Sequence, residues 1–194
     1  MADFYMRGAN PAVNFDDYDV RLAAYRALLA GAAGHTYGNN NIWQMWAPGR
    51  DPVLGANTPW NEAIDHPGAF QMGHVRRLFE SRPWETLAPD QALLVGPNSP
   101  GDGFVRAAVA SDRSFAFVYS PRGEPVSVDQ TRLKAVDLTA WWFDPRYGRA
   151  YFVHTGVGTA IQVFTPPSSG RGCDWVLVLD DAAKGYPPPG EPRK

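Results

Sequence analysis

Near residue 90 the chain changes its period, and that change limits the folds open to it. Before this point apolar residues recur at helical spacing. Between residues 105 and 179 they fall into short strand-length blocks separated by Gly and Pro. Helical patterns followed by strand patterns predict an α+β chain. Its 194 residues allow one large domain or two small ones at ~150 residues per domain. The predicted division is 1–90, 91–184 and a tail over 185–194. Residues 185–194 hold four prolines, which predicts disorder.

The first helix is predicted to start at Asn14-Phe-Asp-Asp-Tyr-Asp, which offers N-cap side chains and puts carboxylates in the first turn. Val20, Ala24, Ala27 and Leu28 share one face, and Gly31 and Gly34 end it. Residues 32–37 are short, small and apolar and predict a buried strand. Residues 38–59 form a long loop rich in Asn, Gly, Pro and Trp, a length that inside a compact domain usually carries function. A second helix is predicted over 61–80, broken in its first turn by Pro67-Gly68, with Phe70, Val75, Leu78 and Phe79 as its apolar face. Seven strands follow, at 105–110, 115–119, 126–128, 138–143, 150–153, 160–164 and 175–179. Their 10–15-residue spacing predicts an antiparallel β-sandwich. In the pair Trp141-Trp142 the rings must point to opposite faces, one into the sandwich core and the other either packed against the helical half, the favoured reading, or open as a ligand platform.

Composition excludes several function classes. The net charge is −2, and only Lys134, Lys184 and Lys194 are lysines, so no basic tract points to nucleic acid or an anionic membrane. No window approaches ~18 consecutive apolar residues, and the first residues lack the pattern of a signal peptide. The single Cys173 excludes an intramolecular disulfide and a structural zinc site, and the four His are too scattered for a compact metal motif. No nucleotide or metal-hydrolase signature is present, and Gly156-Val-Gly158 lacks a following helix, so no cofactor is expected. Only five Glu occur, and no convincing pair of carboxylates suits glycosidic acid–base chemistry.

One stretch carries chemistry, from Gly34 to Trp46. His35, Tyr37, Asn39, Trp43, Gln44 and Trp46 combine aromatic faces with amides and an imidazole, the mixture a sugar site needs. The structural alternative is that Trp43 and Trp46 cover the core while the Asn residues form turns. Both readings stand on these residues alone.

Several runs, in order, resemble the apiosidase-like glycoside hydrolases. They include Phe15-Asp-Asp-Tyr-Asp-Val-Arg-Leu, Ala30-Gly-Ala-Ala-Gly-His-Thr-Tyr-Gly-Asn-Asn and Gln71-Met-Gly-His-Val-Arg-Arg-Leu-Phe-Glu-Ser-Arg-Pro-Trp. Phe117-Val-Tyr-Ser-Pro-Arg-Gly, Ala140-Trp-Trp-Phe-Asp-Pro-Arg-Tyr-Gly and Asp174-Trp-Val-Leu-Val-Leu-Asp continue the likeness. The resemblance implies the last part of a (β/α)₈ TIM barrel followed by a β-sandwich labelled as collagen-binding. Residues 32–37 would be the final barrel strand, and the His35–Trp46 stretch would line the glycan site at its C-terminal end. The family's catalytic acids lie upstream of the Asp-Tyr-Asp helix, so no catalytic residue carries over. The chain is expected to be the C-terminal portion of such a hydrolase, acting on plant-type branched polysaccharide, with the missing barrel portion as a possible partner. The alternative is a stand-alone glycan- or collagen-binding sandwich. The helical half, an incomplete barrel, is expected to pack poorly alone or to dock on the sandwich or another chain.

Overall fold

The computed structural model describes residues 15–158 and 160–193. The start of the first helix expected at Asn14 lies partly outside them. Helix α1, Asp17–Leu29, begins at the N-cap Asp16, whose side chain and that of Asp19 cap each other's backbone N–H groups. Its buried face is turned from the predicted one. Val20 and Ala24 are buried as expected, but Arg21 and Tyr25 are buried beside them, while Ala27 and Leu28 are half-buried. The cause is Asp174, which draws the Arg21 guanidinium inward.

Three further helices follow: α2 at Asn40–Trp43, α3 at Trp60–Ala63 and α4 at Pro67–Glu80. Pro67 stands at the first position of α4, where its missing N–H leaves no bond unmade, so it starts a helix. Val75, Leu78 and Phe79 are buried as predicted. Phe70 is a correction, since it is 58% exposed. It lies roughly 130° around the helix axis, at ~100° per residue, from the buried face of Gln71, Val75, Leu78 and Phe79.

Residues 32–37 are the larger correction. They form no strand among the described residues, and 32–36 lie exposed. A lone extended segment has no ladder to hold it, and no described strand lies beside it.

The second half forms eight strands: β1 Leu87–Pro89, β2 Arg106–Ala110, β3 Phe115–Ser120, β4 Val126–Asp129, β5 Asp137–Asp144, β6 Arg149–Val157, β7 Ile161–Phe164 and β8 Trp175–Asp181. β1 is the addition to the predicted set, three residues too short to show a pattern. The strands make an antiparallel six-stranded sheet in the order β1-β2-β3-β8-β5-β6 and a two-stranded sheet of β4 and β7. The protein is therefore α+β.

The large sheet is covered on both faces. Ala116, Val118, Trp142, Trp175, Leu177 and Leu179 point to the small sheet and form one core. Phe115, Phe117, Tyr119, Val176 and Val178 point the other way, onto Ala24, Tyr25, Leu29, Val75, Leu78 and Phe79 of α1 and α4. β3 and the first six residues of β8 are thus buried throughout, as strands covered on both faces must be. The Trp pair splits as predicted. Trp142 meets Trp175 edge-on in the sandwich core, and Trp141 packs on the helical side against Phe152.

Buried charge pins the two halves together. Arg21 Nε lies 3.0–3.1 Å from both Asp174 carboxylate oxygens, and its Nη2 donates to Oδ1 at 2.8 Å. Arg21 Nη1 donates to Asp17 and Gln71 at 2.6 and 2.7 Å. Arg82 makes a bidentate pair with Asp180 at 2.6–2.8 Å. Tyr25 stacks on Tyr119 with centroids 4.9 Å apart. The helical half has docked on the sandwich, one of its expected outcomes.

The tail is a further correction. Over 185–193 it lies on the protein: Tyr186 packs edge-on against Phe115, the Arg82 guanidinium lies over its ring, and Pro189 is buried. Its prolines restrict the free chain, so less entropy opposes this packing.

Candidate functional site

A cavity of about 380 Å³ opens where the end of α1, the extended 32–37 segment and α4 meet. Leu28, Met72, Val75 and Phe79 make its apolar floor; His35 and Tyr37 form one wall, and Trp84 closes the end. Arg76 and Glu80 stand at the rim, paired at 2.8 Å across one helical turn. A second, wider cavity shares Glu80 and Trp84 and is lined by Arg77 and Arg193. Partial burial holds the His35 imidazole below its usual pKa. Near neutral pH it is therefore an uncharged ring able both to donate and to accept a hydrogen bond. Among the described residues no cluster of three or more His, Cys, Asp or Glu could hold a metal ion.

The six residues singled out from the sequence divide into two groups. His35 and Tyr37 share the cavity. Asn39, Trp43, Gln44 and Trp46 belong to the loop beyond it. Asn39 is buried and caps α2: its Oδ1 accepts from the Asn41 backbone at 3.0 Å, and its Nδ2 lies 3.0 Å from His66 Nδ1 and 3.4 Å from the Tyr37 hydroxyl. Gln44 ties the loop to itself, donating to Val53 O at 2.7 Å and accepting from Val53 N at 2.9 Å. Trp46 is half-buried and donates to Arg50 O at 3.1 Å. Trp43 is 77% exposed on α2. The amides hold the loop's shape, while the Trp43 ring faces solvent.

This loop is restrained as well as long. Asn40 donates to the carbonyls of Val53 and Leu54, and Asn41 Oδ1 accepts from the backbones of Asn57 and Thr58. Met45 and Leu54 hold positive φ of 48° and 51°, a strained conformation for such side chains that surrounding contacts must enforce.

Arg76, Glu80 and Trp84 joined the cavity without being singled out in the sequence. The signal was there: an Arg–Glu pair four residues apart with an indole one turn beyond. Chemically, the apolar floor and rings can pack against sugar C–H faces, while His35, Tyr37, Arg76 and Glu80 can bind hydroxyls. Glu80 is the one carboxylate among the described lining residues. Glycosidic hydrolysis by the usual route uses two carboxyl groups roughly 5–10 Å apart.

Residues 4–86 match the family model "Apiosidase-like, catalytic domain", and residues 88–180 match "Putative collagen-binding domain of a collagenase". No curated protein matches the chain. A solved structure titled "Glycoside hydrolase" superposes with a TM-score of 0.86 at 29% identity, over 94% of this chain and 41% of its own. A glycoside hydrolase family 5 structure from Bacteroides vulgatus ATCC 8482 gives 0.88 at 28% identity, over 96% of this chain and 41% of its own. The chain thus spans about two fifths of the length of these structures. With one family model ending at residue 86 and the next starting at 88, the chain is similar to an apiosidase-like catalytic domain over its first part and to a collagen-binding-type domain over its second.

Proposed function

We propose that this chain forms one wall of the glycan site of a glycoside hydrolase acting on branched plant-type polysaccharide. On this reading α1, residues 32–37 and α4 occupy the place of the last helix–strand–helix of a (β/α)₈ barrel, with 32–37 joining a ladder only beside the neighbouring strands of a whole barrel. The catalytic carboxyl groups come from barrel polypeptide outside these 194 residues. His35, Tyr37 and Trp43 contact sugar; Asn39, Gln44 and Trp46 hold the loop that presents them.

The observation that carries the reading is the placement of His35 and Tyr37. They stand on a cavity wall between α1 and α2, just before a restrained loop. In TIM-barrel enzymes the active site is built at the C-terminal end of the strands, from the loops that follow them. The alternative, a stand-alone binding sandwich, needs an open aromatic face. Here α1, α4 and Tyr186 cover the helical side of the large sheet.

The test is to incubate the chain with branched plant cell-wall polysaccharide and follow both retention in affinity electrophoresis and release of reducing ends. Retention without release is expected. Release of reducing ends by this chain alone, abolished by Glu80→Gln, would place the catalytic acid within it and overturn the assignment.

A further inference from the structure

The wider cavity beside Glu80 and Trp84 holds about 830 Å³, within the ~300–1,000 Å³ range of small-molecule sites. Two guanidiniums line it, Arg77 from the last turn of α4 and Arg193 from the tail. The carboxylate on its wall, Glu80, is already held by Arg76 at 2.8 Å. Elsewhere guanidiniums answer carboxylates: Arg21 with Asp174, Arg82 with Asp180 and Arg146 with Asp144. Neither Arg77 nor Arg193 has a carboxylate at ion-pair distance among the described residues. Arg77 is fixed by two other neighbours. Its Nη2 lies 2.5 Å from His74 Nδ1, and the β5–β6 turn presses on the same pair. A Cβ added at Gly148 would lie 2.7 Å from His74 Nδ1 and 2.8 Å from Arg77 Nη2. Burial and the Arg77 charge hold the His74 imidazole below its usual pKa, so near neutral pH its Nδ1 accepts from the guanidinium. Arg193 is brought to the cavity by a fastened tail. Tyr186 is held by Arg82 and Phe115, and Gly190 passes so close to Phe143 that a Cβ there would lie 2.9 Å from the ring.

We infer that this cavity binds the anionic group of a charged sugar, a carboxylate or a phosphate ester, with Arg77 and Arg193 pairing its oxygens and the Trp84 indole packing on the sugar ring. The planar guanidinium fork matches such oxyanions in both geometry and charge. An indole on the same wall offers a face to the sugar's C–H patch. Trp84 and Glu80 also line the first cavity, so one saccharide can reach both. The sugar in this inference rests on the proposed glycan wall; the preference for charge rests on the two arginines.

Calorimetric titration of the full chain with glucuronate-bearing xylo-oligosaccharides, and with the same oligosaccharides after reduction of their carboxyl groups, tests this. The acidic set is expected to bind roughly tenfold more tightly, as one charge-assisted contact would give. Arg77→Gln and Arg193→Gln should each remove most of that advantage; both positions are exposed, so neither replacement disturbs the core. Arg113→Gln, an exposed guanidinium just before β3, should keep it. Competition distinguishes the two anions. Displacement of the acidic set by glucose 6-phosphate better than by glucuronate assigns the site to phosphate esters, and the reverse assigns it to uronates. Inorganic phosphate that displaces it as well as either overturns the sugar assignment. Equal binding of the acidic and reduced sets, no binding of the acidic set, or an advantage that survives both arginine replacements overturns the inference. His35→Ala tests the wall alone: it should weaken both sets equally, so its failure would leave the acid-to-neutral ratio standing.

Discussion

Asp174 shows how one residue organises this molecule. It is fully buried in the loop before β8, yet it receives Arg21 from α1 and the Tyr119 hydroxyl from β3, at 3.1 Å. Removing one member of a buried pair leaves a charge without a partner in a dry site. Asp174→Ala is expected to cost ~3–5 kcal/mol, measured by chemical denaturation. Asp17 sits at the wetter end of the same network. Burial pushes its carboxyl up, but hydrogen bonds from Gln71 and Arg21 outweigh this and hold it below the usual carboxylate range. A folded pKa below the unfolded one stabilises the fold above the ordinary carboxylate range, and the contribution is lost as pH falls through the lowered value. Asp17→Asn should therefore lower Tm near about pH 7, and the gap from wild type should be smaller near about pH 3, below the ordinary carboxylate pKa. An equal gap at both values would contradict this account. Gly123 is constrained differently. At φ +60° an added Cβ would collide with the carbonyl oxygens of Ser168 and Cys173, so Gly123→Ala should destabilise the chain in the same assay.

The elements differ in how far the sequence foretells them. Seven strands were legible because each is a compact apolar block between turn residues. The buried face of α1 was not, because burial of Arg21 depends on Asp174, 153 residues away, which no local period encodes. Residues 32–37 misled for a related reason: a strand needs neighbours, and small apolar residues alone do not supply them. In the candidate site, the chemistry of the His35–Trp46 stretch was legible, but the division of labour within it was not. Spacing cannot tell a solvent-facing Trp43 from a Gln44 locked onto Val53. That lock predicts that Gln44→Ala frees residues 44–54. Amide exchange there should rise by roughly tenfold, as loss of about 1.4 kcal/mol of local protection would give, with α4 unchanged.

At the scale of the whole molecule, the helical half and the large sheet share one core, so they should unfold together. Limited trypsin digestion is expected to cut first at the exposed Arg50, between α2 and α3, while the buried Arg21 and Arg82 stay protected until global unfolding. Early loss of α1 and α4 from an intact sheet would contradict a shared core. This shared core also bears on function, because it fixes α1 and α4, and through them the cavity wall, on a rigid support. The central claim is that this wall recognises glycan. It is tested most directly by calorimetric titration of the chain with oligosaccharides from branched plant cell-wall polysaccharide. The account predicts saturable binding, weakened roughly 3–10-fold by Trp43→Ala and by His35→Ala, as loss of one stacking or hydrogen-bonding contact would give. Binding that is absent, or that both replacements leave unchanged, would contradict it.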